Sequence, residues 1–433
     1  MGELEAVETA ISEIMHCARE QGLDFYPMRF EICPAEIIYT FGAYGMPTRY
    51  SHWSFGKAYH RIKTQYDYGL NRIYEMVINT RPCYAFLLSG NSLIQNKLVI
   101  AHVLAHSDFF KNNAYFSHTS GEMLETMAQA AARIREYEML YGRGRVEEFL
   151  DAVLAIQEHV DPHRFVNRSQ PGGHGQCRSR SGPKTGKEEP TSSEPEKDLL
   201  LFIMRNSLAL KEWEKDIIGI VREETLYFWP QLTTKILNEG WATYWHVRLM
   251  RKLDLREEEA LEFARMHAEL IRAGGLYLNP YLVGLRILED IERRWGPESL
   301  FEVRALENDV SFLRNFLTQE LVEELDLYLY RRRGQEWRVV TKEWEQVREA
   351  AVANLVNGGY PYIVVLDGDY NRAGELYLQH VYEGVELDFH HMERALAQVY
   401  RLWMRPVHLE TVHDGRRVVF CFNGERVVKG VKQ

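Results

Sequence analysis

Cysteine is scarce in this chain and poorly spaced for structural work. The five residues, Cys17, Cys33, Cys83, Cys177 and Cys421, are odd in number, and no two form a C-x-x-C pair. That spacing excludes a disulfide framework and a thiolate zinc site, and it fits reduced thiols in the cytoplasm. Long apolar runs are missing too: nothing approaches the roughly 20 residues needed to cross a bilayer. The opening residues, MGELEAVETAISEI, are acidic and amphipathic, without the basic start and apolar run of a secretion signal. Positive charge is not in excess: the net charge is −10 and the pI is near 5.9. A diffuse electrostatic grip on nucleic acid or anionic lipid is therefore not expected. A phosphate loop is absent as well. Around Gly56-Lys57, Ser51 stands where the motif needs glycine, and Ala58 stands where it needs Ser or Thr. The expectation is a cytoplasmic protein with no nucleic-acid partner and no membrane insertion.

What is present suits a large globular protein. The 433 residues are 45% hydrophobic and 26% charged, enough for two or three domains with substantial cores. Helical periodicity begins with Leu4, Val7, Ile11 and Ile14. Pro27, Pro34 and Pro47 break up the next stretch, so the aromatic segment Phe41 to His60 reads as irregular. Alternation from Tyr68 to Ser89 predicts two strands around Asn79-Thr80-Arg81-Pro82. Residues 168–197, rich in Gly, Pro, Ser and charge, cannot offset the entropy of ordering and read as a disordered linker or insertion. A further helix is expected to start at Pro230. After Glu324 strand-like runs take over in a ββ-α-ββ-α-ββ pattern that suggests a duplication, closing on a hairpin at His413-Asp414-Gly415.

Two stretches carry chemistry. His102 and His106 lie four residues apart among strong helix formers, so both imidazoles project from one helical face, as a helix presents two nitrogens to one divalent ion. The second stretch is NEGWATYWH, Asn238 to His246. It offers Glu239 as a third ligand, with Thr243 and His246 on the same face and Gly240 to let another helix approach closely. Asp108 and His118 are candidates to orient a ligand imidazole. Arg49, His52 and Lys57, with Trp241 from an aromatic wall, are candidate substrate-binding residues. Candidate catalytic groups are Glu239, His246 and Glu125.

His102-Val-Leu-Ala-His106 together with Glu239-Gly-Trp-Ala resembles the gluzincin metallopeptidases, in which an HExxH helix is followed by a helix whose Glu completes a zinc site. The departure is that Val103 stands where those enzymes place the base, and no His-Glu dipeptide occurs in the chain. Longer blocks resemble the stage V sporulation protein R (SpoVR) family: Phe41 to Tyr59, His102 to Asn113, Glu158 to Pro162, and Asn238 to His246. That resemblance implies a bacterial cytoplasmic protein needed for spore cortex formation. It also implies protein partners, an AAA-type serine kinase and a von Willebrand-like protein.

The expected fold is therefore α+β. A mainly helical, zincin-like (gluzincin-resembling) N-terminal body is supplied by 1–167 and 198–324, and 325–433 form a small α+β domain. The expected cofactor is zinc or another divalent metal on His102, His106 and Glu239. The function would be metal-dependent hydrolysis of a peptide or amide bond in cortex assembly. The alternative is a non-catalytic, metal-stabilised regulator or scaffold acting through those partners, and Val103 favours it.

Overall fold

The structure, a computed structural model, describes residues 2–67, 75–163, 195–273, 278–333 and 336–431. It is mainly helical with a five-stranded sheet in its C-terminal part, the α+β class expected. No helix among the described residues is long and apolar enough to cross a membrane. Most of the expected linker, with His174 and Cys177, lies outside the described residues, as does the start of the strand expected from Tyr68.

The chain forms two compact units, and neither is continuous in sequence. One comprises Met1–Ala132 and Pro230–Gly359, the other Arg133–Trp229 and Tyr360–Gln433. This division differs from the expected boundaries, which follow changes in sequence texture. The change after Glu324 is real but marks no border. The hairpin of β4 (Leu329–Arg333) and β5 (Glu336–Thr341) and the helix Trp344–Ala353 belong to the first unit, because Val347 and Val352 are buried in its core.

The first unit is built around one helix, Leu93–Asn112, called the histidine helix below. Ser92 caps it in a reciprocal box: its hydroxyl takes the Gln95 N–H, and the Gln95 side chain takes the Ser92 N–H. From Leu98 to Phe110 every residue is buried, so the helix is covered on all sides and lies inside the core, with His102, His106, Ser107 and Asp108 as its buried polar groups. A small sheet, order β1-β3-β2, packs beside it: β1 (Met28–Cys33) runs parallel to β3 (Cys83–Leu88), and β2 (Glu75–Ile78) is antiparallel to β3. Strand β1 was not expected. Pro27 and Pro34 flank it instead of interrupting regular structure, and Pro34 opens a helix, Ala35–Tyr44, that ends on left-handed Gly45. Much of the segment expected to be irregular is likewise the helix Trp53–Asp67.

The second key element is the helix Lys235–Met250, the glutamate helix. It does not begin at Pro230, which sits inside the preceding helix Glu212–Thr233; the break falls at Thr234, whose hydroxyl donates to the Pro230 carbonyl. The N-terminal amides of Ile236 and Leu237 are taken by the buried Asp309 carboxylate, each at 2.9 Å. The helix packs against the histidine helix and against Pro280–Trp295. The latter contact is backbone to backbone. A Cβ on Gly284 would stand 2.3 Å from the Ile236 carbonyl oxygen and 2.6 Å from Gly240 Cα, so Gly240 permits the close approach its sequence predicts.

Asp108 ties these layers together. Fully buried, it pairs with Arg304 at 2.7 and 2.9 Å and accepts the Trp241 indole N–H at 2.9 Å and the Asp24 amide at 2.7 Å. Burial pushes its pKa up, and Arg304 with the other donors opposes that shift.

In the second unit the sheet order is β10-β9-β8-β7-β6. The strands are β6 (Ile363–Tyr370), β7 (Glu375–His380), β8 (Val407–His413), β9 (Arg416–Phe422) and β10 (Val427–Val431). All neighbours are antiparallel except β7 and β8, which are joined by the crossover helix Phe389–Trp403. The expected β8–β9 hairpin turns on Asp414-Gly415, both at positive φ, as a two-residue loop demands. The suggested duplication is not realised, since β4 and β5 form a separate two-stranded sheet.

Candidate metal centre

Helical spacing places His102 and His106 one turn apart on the histidine helix, and the packing of the glutamate helix brings Glu239 to them. Glu239 Oε2 lies 3.7 Å from His102 Nε2 and 3.5 Å from His106 Nε2, and the three ligand atoms all fall within 4.8 Å of one another. These separations are too long for hydrogen bonds. The 3.5 Å separation falls in the range for the edge of a coordination tetrahedron, where atoms held about 2.0–2.2 Å from one ion stand about 3.3–3.6 Å apart, and the 3.7 Å separation lies just beyond it. Glu239 Oε2 is buried and accepts no hydrogen bond within those limits.

The far side of each ring is engaged. His106 Nδ1 donates to Asn238 Oδ1 at 2.8 Å, which leaves its Nε2 lone pair facing Glu239. His102 Nδ1 lies 2.9 Å from His246 Nδ1, and His246 Nε2 lies 3.1 Å from His267 Nδ1. Metal-binding histidines commonly carry such outer partners. The Glu239 side chain is 17% exposed against 1% for His102, although its Oε2 is buried.

Burial alone pushes the Glu239 carboxyl up, but the two imidazoles reverse this and hold it well below the usual range. Burial, reinforced by His102, His267 and His106, keeps His246 neutral.

The structure thus gathers His102, His106, Glu239 and His246. His246 stands behind His102, however, with both nitrogens committed to other imidazoles, so it has no nitrogen facing the centre for acid or base work. Glu125 is exposed on the first turn of Met123–Tyr141 and does not join the group. Trp241 is wholly buried, with its N–H on Asp108; it is a packing residue with no face for substrate. Asp108 itself orients Trp241 and Arg304, not an imidazole. Arg49 donates to the Tyr44 carbonyl with its guanidinium 4.0 Å from the Phe55 ring centre, His52 meets Ser54 Oγ at 2.7 Å, and Lys57 is exposed. Val103 is buried in the core. Asn238 and His267 are participants that the sequence reading missed. Asn238 adjoins Glu239 and could have been found, whereas His267 lies in a charged stretch with no motif.

A family model described as SpoVR like protein matches residues 2–360. This chain belongs to the SpoVR family. A second model, the SpoVR-like C-terminal domain, matches residues 361–414 and begins just past the point where the chain leaves its first unit for the last time. SpoVR membership suggests a sporulation-related role. A similar protein is the "Uncharacterized protein YcgB" of Escherichia coli (strain K12). It is 29% identical over 378 residues, which cover 75% of this SpoVR chain and 74% of that protein. No solved structure matches.

Proposed function

We propose that this SpoVR protein holds a divalent metal ion, zinc by ligand type, on His102, His106 and Glu239, and that it hydrolyses a peptide or amide bond in spore cortex assembly. The observation that carries the metal site is the 3.5 and 3.7 Å spacing of one carboxylate oxygen from two imidazole nitrogens. The Asn238 partner behind His106 supports it. In the zincin-like part of this reading, the histidine and glutamate helices stand for the two ligand helices of a gluzincin. A bound ion would supply Lewis acidity to a carbonyl oxygen. The chain's own residues present both Nε2 atoms and keep the ligand set buried.

A second reading is favoured by Val103. The residue that follows the first histidine is apolar and packed in the core, and Glu239 is the one carboxylate in the group among the described residues. The protein would then be a metal-stabilised regulator or scaffold whose partners are the kinase and the von Willebrand-like protein implied by the family resemblance.

Elemental analysis tests what the two readings share. The parent should carry about one equivalent of metal, and His102→Ala and Glu239→Ala should carry none; folded protein lacking metal in all three refutes both. Release of amine from cortex-type peptides by the metal-loaded parent separates them. Hydrolysis that Glu239→Gln abolishes supports the enzyme. Full metal loading with no hydrolysis supports the regulator.

A further inference from the structure

The helix Glu257–Leu270 has no buried residue, yet it sends His267 inward to His246. Polar contacts hold this helix beside the histidine helix: the Ser92 hydroxyl donates to Glu262 at 2.9 Å, and Lys97 faces Glu259 at 3.9 Å. Phe263, one turn before His267, stacks on it with ring centres 6.1 Å apart and meets His246 edge-on. The imidazole of His267 is thus fixed in place although its helix belongs to the surface.

We propose that His267 is a positioning residue for the metal centre: by accepting a hydrogen bond from His246, it sets whether the His102 Nε2 that faces Glu239 carries a lone pair or a proton. The argument is one of parity. A neutral imidazole has one donor and one acceptor nitrogen. The 2.9 Å contact between the Nδ1 atoms of His102 and His246 admits one proton. When His102 supplies it, His246 Nδ1 accepts, the His246 proton sits on Nε2, and it points to an acceptor at His267 Nδ1, 3.1 Å away. His102 Nε2 then carries a lone pair towards Glu239. In the opposite setting His267 donates, each proton moves to the other nitrogen of its ring, and a proton occupies His102 Nε2, where an ion would need the lone pair. Burial, with Arg251 and Arg286 nearby, lowers the His267 pKa and favours the neutral ring that can accept. Since three rings share one setting, the partly exposed end of the chain governs the buried end.

The proposal rests on the metal reading for its purpose but not for its test. Nitrogen-15 histidine NMR of the metal-free full chain reads the tautomers directly, and zinc titration reads the consequence. The contrast is His267→Gln, which keeps an acceptor, against His267→Leu, which has none. In the parent and the Gln variant, His102 should be protonated at Nδ1, with zinc affinities within a few-fold of each other. The Leu variant should lose that tautomer and bind zinc about 10–100-fold more weakly, the usual cost of losing an outer partner. If the Leu variant does not fold, His267→Lys, which can only donate, supplies the same contrast. Parent-like tautomers and affinity in the variant without an acceptor overturn the proposal, as does a Gln variant no better than Leu. A parent with the predicted tautomer that takes no zinc refutes the metal reading and leaves the tautomer lock standing.

Discussion

The contact between Gly240 and Gly284 makes a demanding prediction about Gly284→Ala. Ordinary contacts of a Cβ begin near 3.4 Å, and the added methyl would stand 2.3 Å from the Ile236 carbonyl oxygen and 2.6 Å from Gly240 Cα. The shortfall is 0.8–1.1 Å, and both obstacles are backbone, which cannot swing aside. The glutamate helix and Pro280–Trp295 must separate by about that distance. Overpacking of this kind costs about 1–3 kcal/mol, and a backbone-to-backbone clash belongs at the top of that range. For a unit of this size, about 3 kcal/mol corresponds to a fall in Tm of about 6–12 °C. The control is Gly56→Ala in the helix Trp53–Asp67, where a Cβ meets nothing within 4 Å. Removing that helical glycine should stabilise by about 0.5–1 kcal/mol. Calorimetry of parent, Gly56→Ala and Gly284→Ala decides the matter. A Gly284→Ala variant melting within about 1 °C of the parent refutes the reasoning, because the two helices could not then be in backbone contact.

Asp108→Asn leaves Arg304 buried without its counter-charge and should cost about 3–5 kcal/mol in denaturant unfolding. Trp241→Phe removes a single donor from the same carboxylate and should cost about 1.5–3 kcal/mol, with the double variant costing less than the sum. Burial raises the pKa of Asp309 to about 7 from an ordinary 3.8, against the opposing backbone amides. The folded state therefore binds the extra proton between those values, so stability should fall as pH rises from about 4 to about 7 and level off above. Asp309→Asn should lack that slope. Under the metal proposal, chelation should destabilise the parent by about 2.7 kcal/mol for metal held at 100 times its Kd, lowering its Tm, and should leave the Tm of His102→Ala unchanged.

The grouping of His102, His106 and Glu239 was legible because its signals are local. Two histidines at i and i+4 share a face whatever the tertiary structure, and the Glu239-Gly240 pair announces both a carboxylate and a close helix contact. His246 shows the limit of such reasoning. Its i+7 spacing from Glu239 placed it on the right face but not on which side of His102 it would stand. His267 and Asp309 were illegible for a different reason: each acts from another helix, through one side chain, with no repeating pattern. The missed β1 and the misplaced start at Pro230 both turn on proline: Pro27 and Pro34 were read as interrupting an element that they bound, and Pro230 as opening a helix although it sits within one. Strand texture says where strands are, not which core they join, and β4 and β5, beyond the expected border near 325, cluster with the first unit.

The chain's three passages between its units bear on how it is made. As a ribosome releases it from the N-terminus, residues 1–132 emerge without the glutamate helix, and that helix emerges before Asp309, which takes its first amides. Neither unit can close until residue 359 or later is free. A fragment cut at residue 360, where the family models divide, would keep residues 133–229 while discarding the five strands that complete their unit.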